Sequence, residues 1–145
     1  MHKAQAILNA FKASLAPLIT NNVVKVILPN NAQPAEVHPA LIVRMGEEDV
    51  SARNMSNFDN RDLNIYIDIY VHSKNTDLDE QVLVIREEVE KAILANVQLG
   101  LPFVLNTEFN GQDAPDYQGD AELYAAAIRL NFVVKYRTQS NNPSL

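Results

Sequence analysis

The chain has 145 residues, is 47% hydrophobic and carries a formal net charge of -6, a length that suits one domain burying roughly 68–70% of the surface its unfolded chain would expose. It contains no cysteine, which excludes disulfides and thiolate metal sites and fits a cytoplasmic protein. The acidic balance, with a pI near 4.9, argues against a protein that grips nucleic acid, because phosphate binding draws on clustered Lys and Arg.

Residues 1–18 do not read as a signal peptide: Asn9 and Lys12 interrupt the apolar residues before an h-region can form. No apolar run approaches the ~20 residues that span a bilayer as a helix, so the expectation is a soluble protein with no membrane partner. Ala4, Ile7, Leu8, Phe11 and Leu15 recur at helical spacing, which predicts an amphipathic helix over 3–16 that stops before Pro17. Asn21-Asn22 turns the chain into a short β-prone run at 23–28. Residues 29–39 read as a loop. A second apolar run at 40–45 meets Gly46-Glu47-Glu48-Asp49, which reads as a turn, and 50–53 is expected to return as the other arm of a hairpin. Residues 54–60 are polar and turn-rich.

The clearest strand is 63–72. Leu63, Ile65, Ile67, Ile69 and Val71 alternate with Asn64, Tyr66, Asp68, Tyr70 and His72, the period-two pattern of a half-buried strand. A second helix follows, capped by Thr76 or Asp77, with Asp79 and Glu80 in the first turn where the helix dipole favours negative charge. Its apolar stripe is Leu78, Val82, Ile85, Val89 and Ile93, and it should end near Asn96. Residues 103–109 alternate again, and 110–120 reads as a polar loop.

The last strand places Tyr124, Ala126, Ile128, Leu130, Phe132, Val134 and Tyr136 on one face, with Arg129, Asn131, Lys135 and Arg137 on the other. Its seventeen residues, 122–138, would span about 55 Å against a domain diameter of roughly 40 Å. The strand must therefore bend, bulge near Ala125-Ala126-Ala127, or project. Together these elements predict an α+β domain over 1–138: a mostly antiparallel β-sheet with two amphipathic helices packed on one face. A disordered polar tail is expected at 139–145. On the opposite sheet face Asn64, Asp68, Arg129 and Lys135 are placed to pair across strands.

No motif carries chemistry. The four glycines are not spaced as in nucleotide-binding loops, and there is no nucleophile elbow or zinc-binding His pair. His2, His38 and His72 sit on separate segments and read as unrelated surface residues. Asp113, Asp116 and Asp120 lack the calcium-loop spacing and read as a solvated acidic loop. Asp68 with Tyr66, Tyr70 and His72 can be drawn as an acid/base site, but a solvent- or subunit-facing surface accounts for them better. Arg44 with Glu47, Glu48 and Asp49 reads as a solvated turn or, in a ring, a source of inter-subunit ion pairs. The long polar segments 29–39, 54–61 and 110–120 are expected to carry partner contacts, since such loops are uncommon in small domains without a role.

Five segments carry a family resemblance: the helix at 4–15; Pro-Ala-Leu-Ile-Val at 39–43 running into the acidic Gly46-Glu47-Glu48-Asp49; Arg61-Asp62-Leu63 opening a strand that closes Ile69-Tyr70-Val71; the acidic helix containing Ile85-Arg86-Glu87-Glu88-Val89-Glu90; and a final strand ending Phe132-Val133-Val134-Lys135-Tyr136-Arg137-Thr138. In this order they resemble the tail terminator, or tail-completion (minor tail), proteins of tailed bacteriophages. The resemblance implies a non-enzymatic virion protein without cofactors, assembled in the host cytoplasm and located in the tail or neck. It implies a homo-oligomeric ring, typically a hexamer, that caps the tail tube, ends its polymerisation and presents a surface to the head-tail connector. DNA would pass through the ring without specific binding. The residues placed at subunit or tube contacts are Arg44, Glu47, Glu48, Asp49, Arg61, Asp68, Arg129, Lys135 and Arg137. Alternatives are a head-tail joining neck protein of the same virion, a small ligand-binding or enzymatic domain using the polar sheet face, and an adaptor unrelated to phage.

Overall fold

A computed structural model describes residues 1–28, 39–53, 57–73, 77–119 and 124–145. The chain is α+β, with helix α1 (Lys3–Leu15), a four-residue helix α2 (Pro17–Thr20), strands β1 (Val26–Leu28), β2 (Ala40–Arg53) and β3 (Phe58–Ser73), helix α3 (Leu78–Leu94), and strands β4 (Val104–Gln112), β5 (Asp116–Gly119) and β6 (Tyr124–Gln139). The six strands form one sheet in the order β1-β2-β3-β6-β4, with β5 also on β6. Every pairing is antiparallel except β1 with β2.

Both expected helices form, and their stripes meet one sheet face. Ile7, Phe11 and Leu15 of α1, and Val82, Ile85, Val89 and Ile93 of α3, join Leu63, Ile65, Ile67, Ile69 and Val71 of β3 and the even-numbered residues 126–136 of β6 in one buried cluster. Alternation in sequence has become alternation in burial: over this cluster the helix side is apolar and the outer side largely polar. Pro17 ends α1, and the chain restarts at once as α2 with the proline at its first position, where a missing N–H costs nothing. Asn22 then adopts a positive φ of 58°, tolerable for Asn, to turn into β1.

The long last strand has a partner of equal length. β3 and β6, 16 residues each, pair without interruption from Phe58↔Gln139 to Ser73↔Tyr124, so of the three outcomes open to the long strand a bulge against β3 near Ala125-Ala126-Ala127 does not occur. Irregularities fall instead on the flanking strands, between Met45 and Glu48 and between Val50 and Ala52 on β2, and between Val104 and Asn106 and between Phe109 and Gln112 on β4. Bulges bend the strand that carries them, so the outer strands absorb curvature around a regular central pair.

Two expectations are corrected. Gly46-Glu47-Glu48-Asp49 is not a hairpin turn, because β2 continues through it as a bulge to Arg53. The polar segment from Asn110 is mostly strand: β4 extends to Gln112 and β5 pairs Asp116–Gly119 with Ala127–Tyr124. After β6 the chain runs on in turns over 140–145. The Gln139 N–H donates to Leu145 O at 2.8 Å, and the Lys3 N–H donates to Pro143 O at 3.1 Å. The buried Thr138 hydroxyl lies 3.0 Å from both Asn142 O and Leu145 O and can donate to either. Of the long segments expected to carry contacts, 29–38, 54–56 and 120 lie outside the described residues, as do His38 and Thr76.

Candidate functional site

Two charged clusters stand out, one on each side of the sheet. On the outer side Asp68 of β3 lies in register with Ile42 of β2 and Arg129 of β6. It is only 5% exposed, and two guanidiniums hold it. Arg129 donates through Nε to Oδ1 at 2.8 Å and through a second nitrogen to Oδ2 at 3.1 Å. Arg44 donates through Nε to Oδ2 at 2.8 Å. The two-pronged Arg129 contact is the strong geometry for a carboxylate. The bond to Asp68 is the leading cause that raises both arginines above the ordinary guanidinium value. Arg129 also stacks over the Tyr66 ring at 4.8 Å. That ring in turn covers Gly46, where an added Cβ would lie 2.6 Å from it. A shallow cavity of about 290 Å³ opens beside Asp68, with Tyr70, Asp113, Asp116 and Arg129 in its lining. Its carboxylate is occupied by arginines, which makes it an anchor for the sheet surface.

The second cluster is created by the bulge. Two residues of β2, Gly46 and Glu47, stand opposite Asn64 alone, since Met45 pairs with Ile65 and Glu48 with Leu63. The extra residue turns Glu48 to the helix side. There it accepts a short hydrogen bond from the hydroxyl of fully buried Tyr136 and lies 3.5 Å from Arg61. Arg61 also reaches Asp59 at 3.5 Å. Asp59, 1% exposed, accepts a 2.9 Å bond from the Ser140 hydroxyl. The Arg61 Nε is buried with no hydrogen-bond partner among the described residues. Burial works against the Arg61 charge, but Tyr136, Glu48 and Asp59 outweigh it and the guanidinium is raised overall.

Burial first, and the bond to Glu48 second, raise the Tyr136 phenol far above its ordinary value. An unfolded chain releases that proton near pH ~10 while the folded chain keeps it. The unfolded state then binds fewer protons, so stability falls with rising pH. The contribution is whole below pH ~10 and is lost as pH climbs through the folded value. Tyr136→Phe is expected to cost about 1 kcal/mol at neutral pH and to flatten this alkaline loss, as read from urea midpoints at stepped pH. An unchanged alkaline slope in the variant would assign the effect elsewhere.

The remaining candidates are dispersed. Glu47 lies at the bulge, its carbonyl accepting from Asn64 at 2.9 Å. Asp49 stands opposite Asp62. Lys135 lies 3.7 Å from Glu108, and Arg137 donates to Asn60 at 3.0 Å. The nine residues therefore divide between both sides and the edge of the sheet and form no single site. Sequence reasoning missed Tyr136, Asp59 and Ser140 as polar partners. Tyr136 looked like one more apolar position in an alternating strand, and nothing local marks the bulge that brings Glu48 to it.

Comparison with protein-family models and with curated proteins finds no match. Among solved structures the comparison is informative. The chain shares its fold with a chain from the virion of a native gene transfer agent particle. The TM-score is 0.63 at 16% sequence identity, and the match covers 93% of this chain and 97% of the other. The architecture just described, helices on one face of a mostly antiparallel sheet, is thus common to both over nearly their whole lengths. No helix among the described residues is long and apolar enough to cross a membrane.

Proposed function

We propose that this chain is a structural protein of a phage-like virion, and within that class a tail terminator. The observation that carries the reading is the fold shared, end to end, with a chain of a gene transfer agent virion, covering 93% of one and 97% of the other. The tail-terminator assignment rests further on the order of sequence segments that resemble that family. In this reading the protein forms a homo-oligomeric ring on the tail tube, stops tube growth and offers its far side to the head-tail connector. Binding and symmetry do this work, and no reaction is needed. A net charge of -6 suits a ring through which DNA passes without sticking.

Deleting the gene from its phage or prophage and imaging particles by negative-stain electron microscopy tests the proposal. Overlong, headless tubes are the expected result. Tails of normal length beside unjoined, filled heads would reassign the chain to head-tail joining. Intact, infectious virions would overturn a virion-assembly role.

A further inference from the structure

Among the described residues, β2 and β4 form the two edges of the sheet at one of its ends. β1 covers β2 only at Ala40–Ile42, and among the described residues no strand pairs with the outer edge of β2 from Met45 to Val50. On the far side, β4 pairs with β6 along one flank, and no described strand pairs with its other flank. The registers put these two stretches at one level. One row runs Met45, Ile65, Phe132, Phe109; a second runs Glu48, Leu63, Val134, Thr107; a third runs Val50, Arg61, Tyr136, Val104. At the opposite end of the sheet the outer strands are β1, paired to β2, and β5, paired to β6.

Strand direction fits as well. Successive antiparallel steps from β2 through β3 and β6 leave β4 running opposite to β2, so a second copy carried sideways would set its β2 antiparallel to this β4. The exposed apolar residues mark the same places. Of the large hydrophobics exposed on strands, Met45 at 57% and Val50 at 49% are on β2 and Leu105 at 46% is on β4, with Tyr117 on the short β5. Unpaired, partly apolar strand edges are templates for another strand. Charge across the joint is mixed, since Glu108 lies on the β4 edge 3.7 Å from Lys135. The acidic run Glu47-Glu48-Asp49 lies on one edge. At the level of Asp49 the other side carries Asn106 and, one strand in, Lys135.

We infer that copies of this chain join head to tail through their sheets, the Met45–Val50 edge of one taking the Val104–Phe109 edge of the next in antiparallel pairing. Such a contact uses two different surfaces, so it closes into a ring when its rotation allows. The interface deepens the proposed ring and rests on that reading for its purpose, while its geometry stands on the edges alone.

The natural absence of cysteine permits a direct test on the full chain. Val50→Cys and Leu105→Cys are introduced singly and together, and each protein is treated with a short bismaleimide, which tolerates a small error in register. The double variant is expected to give a ladder of linked multimers, and an equimolar mixture of the two single variants only linked dimers. Each single variant alone should stay unlinked. Linked dimers from Val50→Cys alone would mean a symmetric edge contact and overturn the proposal. Light scattering on the untreated protein separates the remaining failures. A multimer without a ladder overturns this interface but leaves ring formation standing; a monomer without a ladder overturns both the interface and self-assembly in solution. As a second check, Leu105→Asp, at an exposed position, should lower the multimer to monomer mass with unchanged circular dichroism. A folded Leu105→Asp protein that still assembles would also overturn the inference.

Discussion

Replacing Phe132 with alanine is expected to cost about 3–5 kcal/mol of folding stability, the largest loss for any single truncation argued from this structure. Phe132 has no exposed surface and sits at the centre of β6. Its ring meets Phe11 of α1 edge-on at 5.9 Å and Phe109 of β4 at 5.4 Å, so one side chain ties a helix, the central strand and an edge strand together. Removing it leaves a cavity bounded by three elements that cannot collapse onto it together, and cavity terms add to the lost transfer energy. Domains of this size hold a total of about 5–15 kcal/mol, so the variant should sit close to its unfolding threshold. At about 2–4 °C per kcal/mol, the melting temperature should fall by roughly 10 °C. Val133→Ala, one residue away on the outer face, should cost less than about 1 kcal/mol. Near-equal losses at the two positions would defeat the account of a one-sided core.

The core was legible because burial on one face writes itself into the sequence as a period. Leu63 to Val71 and Ala126 to Tyr136 alternate strictly, and Ile7, Phe11 and Leu15 fall on a helical stripe; these residues are the core of the structure. Asp68 and Arg129 were legible as residues of one polar sheet face, but the register that sets them opposite each other belongs to the structure. What failed was wherever backbone geometry departs from the period. Gly46-Glu47-Glu48-Asp49 has the composition of a turn, yet its strand continues because a bulge absorbs one residue and Tyr66 fills the space over Gly46. β5 is four residues, Asp116–Gly119, too short and polar to show alternation, and it exists because the end of β6 offers it a ladder. The last residues are held by Thr138, Gln139 and Lys3. Such contacts lie between segments remote in sequence, and no local pattern encodes them.

The charged candidates divide along the same line. Residues chosen as exposed contacts turned out to include Arg61, whose side chain is 15% exposed and which belongs to the buried network under the bulge. Arg44, chosen as part of a solvated turn, is a clamp on Asp68. Glu47 and Asp49 are exposed on the edge strand β2 and enter the proposed joint between copies, while Lys135 sits one strand in on β6, paired with Glu108. Charge in the sequence marked where ions are; only the register decided which of them face inward.

Asp68→Asn should cost about 2–3 kcal/mol, the scale of hydrogen bonds to charged groups lost at a buried site. The carboxylate is 5% exposed and serves two guanidiniums through three nitrogen contacts of 2.8–3.1 Å. Asparagine keeps the shape and one acceptor oxygen but removes the charge, leaving Arg44 and Arg129 to repel each other across β3. The loss should stay below the ~3–5 kcal/mol typical of breaking a fully buried pair, because the arginine side chains are 29% and 38% exposed and water can solvate what the carboxylate releases. Urea titration should show a lower midpoint with an unchanged slope. Arg129→Met in the Asp68→Asn background should then cost less than Arg129→Met alone, since the partner is already gone. Additive losses, or a cost below about 0.5 kcal/mol for Asp68→Asn, would mean that water and not the arginines satisfies Asp68. The outer face would then be an unanchored polar surface.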